Sequence, residues 1–272
     1  YLMHQIAIFG AGRIGSVHAA NIAAHSRCSL VAIVDPDLDA ANQLAGAYDT
    51  EVRSADSVFG DVDIEAVFIA SATDTHAELI EAAARADKQI FCEKPVDLSV
   101  PRVKDCLTAV DTAGVQMMVG FNRRFDPDFA ELRKRIHAGE IGTLELLTVI
   151  SKDPAPPPLK IAKASGGLFR DMTIHDFDMV RFLMGEEPIA VSATASCQVD
   201  PEIGALSDVD TAVVSLRSAS GKLAVIINSR RATYGYDQRI EAHGSNGMLS
   251  VGNHAESSLI RSDADGITGS KP

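Results

Sequence analysis

Asp171 and His175 stand four residues apart in the stretch Leu168–Met184, which we predict to be helical because a glycine pair precedes it and Gly185 ends it. Side chains at positions i and i+4 of a helix lie one turn apart on the same face. A histidine suits the removal of a hydroxyl proton because its pKa is near neutrality, and a nearby carboxylate favours the imidazolium that forms. The spacing alone is more typical of a surface ion pair, so the pair predicts proton transfer only if other residues supply the rest of the chemistry.

Three glycines, Gly10, Gly12 and Gly15, follow a short apolar run and open an alanine-rich stretch. Between a strand and a helix, this spacing permits a tight turn, lets the backbone approach a pyrophosphate and brings the phosphates to the helix N-terminus. Asp35 ends the second apolar run, where its carboxylate can bind the adenosine ribose hydroxyls and repel the 2′-phosphate of NADP. The pattern predicts an NAD site, the alternative being a glycine-rich turn with a helix-capping aspartate. The candidate cofactor-binding residues here are Gly10, Gly12, Arg13, Ile14, Gly15 and Asp35.

Polar side chains also follow two later apolar runs, and ligands of open α/β sheets bind at the carboxyl ends of strands. Ser71 and Thr73 are small enough to let a dinucleotide pass, and His76 could reach it unless it is a surface helix residue. Glu93 and Lys94 follow the next run. There a lysine would lie near the nicotinamide and could steady negative charge on the reacting oxygen. A Glu-Lys pair at a strand end is also typical of a solvated turn.

Short apolar runs alternate with alanine-rich stretches over residues 1–120. This alternation predicts an α/β fold with a doubly wound parallel sheet, a Rossmann domain, because buried parallel strands are apolar throughout. The predicted strands are Ile6–Phe9, Leu30–Val34, Ala66–Ala70, Gln89–Cys92 and Val115–Val119. The predicted helices are Ile14–Ala24, Asp39–Ala47, Thr75–Ala86 and Val100–Ala113.

The pattern changes after Gly120, where we place a domain boundary. Residues 121–272 predict an α+β domain whose open sheet is mostly antiparallel, with short hairpin-like connections. Ala212, Val214 and Leu216 alternate along one predicted strand, and we expect such apolar residues to need a partner on an uncovered sheet face. The other predicted elements are helices Asp128–Ala138 and Leu168–Met184, strands Leu144–Ile150, Leu223–Asn228 and Gln238–His243, and a proline-rich loop Ser151–Pro158.

Composition excludes several classes of function. The formal net charge of −12 argues against binding to nucleic acid or an anionic membrane. No apolar run approaches the roughly 18 residues that a membrane span needs, and Tyr1–Gln5 leads straight into a strand, so no secretory signal is expected. The acids beside His175 diverge around the predicted helix, so we expect no metal. Scattered cysteines argue against disulfides and structural zinc and favour the cytoplasm. These cysteines are Cys28, Cys92, Cys106 and Cys197.

Three segments together resemble the Gfo/Idh/MocA oxidoreductases: Gly-Ala-Gly-Arg-Ile-Gly at 10–15, Glu-Lys-Pro at 93–95, and the stretch 166–178. Segments 120–126, 151–154 and 234–237 make the chain most similar to the inositol-oxidising members. The resemblance covers the whole chain and implies an N-terminal Rossmann domain, a substrate domain with an open sheet, and a homotetramer or dimer joined through those sheets. It also implies that Lys94, Asp171 and His175 are catalytic. Family members usually continue beyond Pro272 into a last helix, whose substrate contacts cannot be assigned from this sequence.

A polyol needs many hydrogen-bond partners, and polar residues on predicted loops could supply them or could be ordinary exposed side chains. The candidate substrate-binding residues are Lys94, Asn122, Arg124, Lys152, Asp153, Asp171, His175, Tyr234 and Tyr236. The resulting hypothesis is NAD-dependent oxidation of myo-inositol to 2-keto-myo-inositol, with His175 as general base. If the protein is an enzyme, the alternative substrates are scyllo- or chiro-inositol, a glucose-like sugar, or a sugar phosphate. A sugar phosphate would favour a denser cluster of arginine and lysine around Arg124. A different class is a non-catalytic NAD-binding sensor, which could dispense with Lys94, Asp171 and His175.

Overall fold

The computed structural model describes residues 3–254, 260–263 and 266–269, the last two ranges by their backbone alone. Contacts divide the chain into two compact units, Tyr1–Gly120 and Phe121–Pro272, here named unit 1 and unit 2. No helix in the described ranges is long and apolar enough to cross a membrane.

Unit 1 contains a six-stranded sheet in which all neighbouring strands are parallel, in the order β3-β2-β1-β4-β5-β6. Its strands are β1 His4–Phe9, β2 Cys28–Val34, β3 Glu51–Val52, β4 Ile64–Ile69, β5 Gln89–Cys92 and β6 Met117–Val119. Its helices are α1 Arg13–Ala24, α2 Leu38–Ala47, α3 Ala55–Gly60, α4 Thr73–Arg85 and α5 Val100–Ala113. The predicted doubly wound parallel sheet is therefore confirmed. β3 and α3 were not predicted, because they are too short to produce a periodic pattern.

Burial on both faces of this sheet explains its apolar strands. Successive side chains of a strand point to opposite faces. Ile6 and Ile8 of β1 pack in one cluster with buried residues of α1, whereas Ala7 and Phe9 pack in a second cluster with buried residues of α4. Helices on both faces thus leave β1 almost no position for a polar side chain.

Unit 2 is an α+β unit built on a mixed sheet in the order β12-β11-β7-β10-β9-β8. Its strands are β7 Leu144–Lys152, β8 Pro188–Ser196, β9 Thr211–Ser218, β10 Leu223–Ser229, β11 Asp237–Gly244 and β12 Gly247–Val251, with a separate hairpin of β13 Ile260–Asp263 and β14 Gly266–Gly269. Its helices are α6 Pro127–His137, α7 Leu159–Ala164, α8 Ile174–Met184 and α9 Pro201–Ala205.

Four of the five strand pairs in this sheet are antiparallel, so the predicted mostly antiparallel sheet is confirmed. The exception is β7 with β10, which run parallel. The expectation of hairpin-like connections throughout is wrong for this pair, because parallel neighbours need a crossover connection. Their carboxyl ends therefore meet at one edge of the sheet, with Lys152 opposite Ser229.

The alternation along β9 is present, but the expectation that its apolar set needs a partner is wrong. Val214 and Leu216 pack in the core with residues of α6 and α8, and Ala212 packs with Leu168 and Met172. The exposed face carries the intervening residues, among them Val213. β8 was not predicted, because nearly every residue of this edge strand is exposed and burial imposes no pattern on its sequence.

The predicted helix Leu168–Met184 contains a π-helical turn, Phe169–Thr173, before α8 begins at Ile174. Such turns insert a residue into a helix and occur frequently at functional sites. Asp171 lies within the π turn and His175 in the first turn of α8. The loop predicted at Ser151–Pro158 is shorter than expected, because β7 continues to Lys152.

Candidate active site

The glycine loop of unit 1 is shaped by close packing. Gly10 has a positive φ of 109°, and a Cβ there would lie 2.5 Å from the backbone oxygen of Ala70. A Cβ on Gly15 would lie 1.9 Å from the backbone oxygen of Gly10. A Cβ on Gly12 would meet no atom within 4 Å, so this position faces open space. Gly10 and Gly15 are thus required by the chain itself, whereas Gly12 leaves room for a ligand.

Asp35 is fixed beside this loop by backbone donors. Its Oδ2 accepts from the amide of Ala11 at 2.7 Å and its Oδ1 from the amide of Asp37 at 2.8 Å. Each carboxylate oxygen can accept a further hydrogen bond, as from a ribose hydroxyl. α1 begins at Arg13, and Ile14 is the next residue of its first turn. The first N–H groups of this helix have no acceptor within it and can bind an anion. This set fits the adenosine and pyrophosphate of a dinucleotide.

A cavity of about 550 Å³ opens in unit 1 at the carboxyl ends of β1, β2 and β4. Phe9 and Gly10 line it from β1, Val34 from β2 and Ser71 from the loop after β4. Its volume is in the range of small-molecule sites, and its place is that expected for a ligand of an open α/β sheet. Thr73, another predicted cofactor residue, is the first residue of α4.

His76 is buried, so the alternative of a surface residue is wrong. Its Nδ1 lies 2.8 Å from the carbonyl oxygen of Pro95, and its Nε2 lies 3.2 Å from that of Ser71. The ring therefore joins the loop after β4 to the loop after β5. Both ring nitrogens face carbonyl oxygens, so His76 positions these two loops, and its contact with the cofactor stays a prediction.

Glu93 is anchored at the start of the Lys94 loop. Its Oε1 lies 2.8 Å from Nε2 of His18 on α1, and its Oε2 accepts from the amide of Lys94 at 3.3 Å. A Cβ on Gly120 would approach this carboxylate to 3.0 Å, so the glycine makes room for it. His18 was not predicted from the sequence, although its place on the helix that follows the glycine loop was a usable signal.

In unit 2, Asp171 and His175 are both half-buried. Oδ2 of Asp171 lies 3.3 Å from Nη2 of Arg230, a buried residue that directly follows β10. Asp153, a predicted substrate ligand, lies within 3.8 Å of the same guanidinium. Burial raises the pKa of Asp153, and the positive charge of Arg230 opposes that rise. Arg230 was not predicted from the sequence.

A buried polar network fixes the start of α8. The carboxylate of Asp176 accepts hydrogen bonds from Arg123 at 2.5 Å, from the hydroxyl of Ser151 at 2.5 Å and from the amide of Asn228 at 2.7 Å. Thr173 donates to the side-chain oxygen of Asn228 at 2.7 Å. The network ties the turn that carries Asp171 and His175 to β7 and β10.

Arg124 was predicted to bind substrate, but its guanidinium is engaged elsewhere. It donates to both carboxylate oxygens of Asp178, at 2.8 and 2.5 Å, and lies 5.2 Å from the ring centre of Phe182. Arg124 therefore holds α8 against the turn at residues 122–125, and its contact with substrate stays a prediction.

Lys152 and Tyr234, two other predicted substrate ligands, meet at the buried Asp237. Nζ of Lys152 lies 3.5 Å from its Oδ2, and the hydroxyl of Tyr234 donates to the same oxygen at 2.7 Å. Arg239 holds the pKa of Asp237 well below its usual range, with further hydrogen bonds from Asn253 and Tyr234.

The last two predicted substrate ligands, Asn122 and Tyr236, are exposed. Within the described ranges, no group of three or more histidine, cysteine or acidic side chains could hold a metal ion.

Comparisons with known proteins place the chain in a family. Residues 4–121 match the oxidoreductase family with an NAD-binding Rossmann fold, and residues 129–250 match the GFO/IDH/MocA C-terminal domain. An inositol 2-dehydrogenase of Rhizobium meliloti (strain 1021) is 53% identical over 264 residues, which span 97% of this chain and 80% of that protein. The chain belongs to the GFO/IDH/MocA oxidoreductase family. The predicted family, an oxidoreductase, and the predicted cofactor, NAD, are thereby confirmed.

Solved structures of related GFO/IDH/MocA oxidoreductases share this fold. A myo-inositol dehydrogenase from Corynebacterium glutamicum ATCC 13032 matches with a TM-score of 0.95 at 44% identity, covering 100% of this chain and 81% of that chain. A scyllo-inositol dehydrogenase from Lactobacillus casei, solved with bound NAD(H) and scyllo-inositol, matches with a TM-score of 0.90 at 29% identity, covering 99% and 82%.

Proposed function

We propose that this family member oxidises a ring hydroxyl of inositol, converting myo-inositol to 2-keto-myo-inositol with NAD. The observation that carries the proposal is the 53% identity to an inositol 2-dehydrogenase over 97% of the chain. Residues 1–120 would bind NAD, and residues 121–272 would bind the polyol.

The proposal gives three residues a role in one reaction. His175 takes the proton of the reacting hydroxyl, and Asp171 stabilises the imidazolium that results. Lys94 offsets the negative charge that develops on the substrate. NAD, when bound, supplies the hydride acceptor. Support for these roles is the placement of Asp171 and His175 on a turn held by buried hydrogen bonds, which suits groups that must keep one geometry.

Substrate recognition is proposed for residues near the ends of β7 and β10. Lys152, Asp153 and Tyr234 would bind the hydroxyls that do not react, and Asn122 and Tyr236 stay as candidates because their exposed side chains are available to a ligand. A cation, a carboxylate and a phenol offer both donors and acceptors, which a polyol requires. The same chemistry would accept scyllo- or chiro-inositol, so the preferred isomer is a matter for assay.

We also propose that the protein is a homo-oligomer, a dimer or tetramer, located in the cytoplasm. The outer face of the unit 2 sheet carries exposed apolar side chains, including Leu146, Val213 and Met248, and such a face is typical of an association surface. The four cysteines are free thiols, as expected in a reducing compartment. Light scattering at micromolar concentration tests the assembly, and a monomer would contradict it.

The decisive experiment is a panel of polyols assayed by NADH absorbance: myo-, scyllo- and chiro-inositol and glucose, each with NAD and with NADP. We expect the highest kcat/KM with an inositol isomer and NAD. Turnover of glucose but of no inositol isomer would show that the substrate is a glucose-like sugar. NAD binding without turnover of any polyol would favour the sensor alternative.

A further inference from the structure

Arg230 is a cation buried at the edge of the unit 2 sheet, with 1% of its surface exposed. Its Nη1 and Nη2 lie 3.4 and 3.3 Å from Oδ2 of Asp171, and Nη1 lies 3.8 Å from Oδ2 of Asp153. A buried charge is costly unless opposite charges and hydrogen bonds compensate it. Here carboxylates from two different elements share one guanidinium.

The backbone fixes this arrangement. β7 and β10 are parallel neighbours, and their last paired residues are Lys152 and Ser229. Just beyond them, the amide of Asp153 donates to the carbonyl of Ser229 at 3.0 Å, and the amide of Ala232 donates to the carbonyl of Asp153 at 2.7 Å. Arg230 and Asp153 are therefore held side by side where the strands end. Asp171 reaches the same guanidinium from the π turn.

Two carboxylates this close to one another would repel without the cation between them. We infer that Arg230 is a positioning residue that holds Asp171 and Asp153 in place and balances their two negative charges. The inference rests on the proposed function for its kinetic consequence: Asp171 would be kept beside the general base and Asp153 kept ready to accept a substrate hydroxyl. Arg230 itself need touch neither substrate nor cofactor.

The pKa of Asp153 shows which effects the positive charge of Arg230 opposes. Burial raises the pKa of Asp153, as do the charges of Asp171 and Asp176, whereas Arg230 and Arg123 lower it. Removing the guanidinium leaves burial and two carboxylates opposed by Arg123 alone. Asp153 would then take up a proton at a higher pH, and the acid limb of the activity profile would move upward.

The test compares Arg230→Gln and Arg230→Lys with a matched control, Arg231→Gln. Arg231 is the exposed neighbour, and among the residues that the structure describes its guanidinium donates to the carbonyls of Val199 and Gln198. We expect Arg230→Gln to lower kcat for inositol at neutral pH by a factor on the order of 10² and to move the acid limb upward by about one pH unit, the size of a lost opposite charge. Arg230→Lys should recover part of kcat, and NAD affinity should stay unchanged throughout.

A second readout needs no substrate. The thermal midpoint of Arg230→Gln should fall below that of the wild type most at neutral pH, where both carboxylates are charged. The gap should narrow as acid protonates them. Adding Asp153→Asn to Arg230→Gln should raise the midpoint again, because one of the two repelling charges is gone.

The outcomes separate the two proposals. A wild type that turns over no polyol refutes the proposed function, while the thermal readout still decides the role of Arg230. The inference is overturned if Arg230→Gln keeps the pH dependence of the wild type in both readouts. It is equally overturned if adding Asp153→Asn to Arg230→Gln does not raise the thermal midpoint.

Discussion

Truncating Asp176 tests whether the buried network beneath the site stabilises unit 2. The Asp176 carboxylate is fully buried and accepts three hydrogen bonds, from Arg123, Ser151 and Asn228. In Asp176→Ala the two neutral side chains can turn to other partners, but the guanidinium of Arg123, which is 11% exposed, loses its counter-charge. Removing one partner of a buried ion pair costs about 3–5 kcal/mol. That is a large part of the roughly 5–15 kcal/mol by which a folded domain is stable.

Urea unfolding measures this loss, followed by circular dichroism and by tyrosine fluorescence, since the chain has no tryptophan. The control is Glu140→Gln, which breaks the solvent-exposed pair with Arg135 and should leave the free energy of unfolding close to that of the wild type. The double variant Asp176→Leu with Arg123→Met removes both charges, so it should be more stable than Asp176→Ala. The reasoning is refuted if Asp176→Ala unfolds within about 1 kcal/mol of the wild type, or if the double variant is less stable than the single one.

Three further predictions concern the cofactor, the base and acid stability. Asp35→Ser with Pro36→Arg should narrow or reverse the preference for NAD over NADP in kcat/KM, and equal use of both by the wild type would contradict the role of Asp35. His175→Ala should lower kcat by a factor on the order of 10² to 10⁴ with NAD affinity unchanged, and near-normal turnover would place the base elsewhere. Although burial raises the pKa of Asp210, backbone N–H donors lower it to about 2. Its stabilising contribution should be complete above its unfolded pKa of about 3.9 and disappear as pH falls towards 2, so the thermal midpoint of Asp210→Asn should approach that of the wild type in that window.

The cofactor half of the site was predictable because its determinants are local. Gly15 is required by the backbone oxygen of Gly10 in the same turn, and Asp35 follows from the position where a strand ends. The pattern of buried parallel strands is likewise local. A strand that is not buried has no such pattern in its sequence, which is why β8, an edge strand, could not be recognised.

The substrate half was less predictable because its contacts join distant residues. Arg124 was assigned to substrate, but its partner Asp178 lies on α8, and sequence spacing gives no sign of that pairing. Arg230 was overlooked because its role depends on the parallel pairing of β7 with β10, which a sequence of hairpin-like strands does not indicate. The same holds for Asp237, whose importance appears only when Lys152 and Tyr234 are seen to share it.

The acidic residues around His175 form a set with a common arrangement. Each is matched by an arginine from another segment of unit 2, the pairs being Asp171 with Arg230, Asp176 with Arg123 and Asp178 with Arg124. Arginine stays protonated at every pH in which proteins fold, so these pairs persist across the range in which a histidine titrates. The turn that carries His175 should therefore keep its geometry while the imidazole gains or loses a proton. For this reason a change in rate near neutral pH that disappears in His175→Ala can be attributed to proton transfer and not to loosening of the helix.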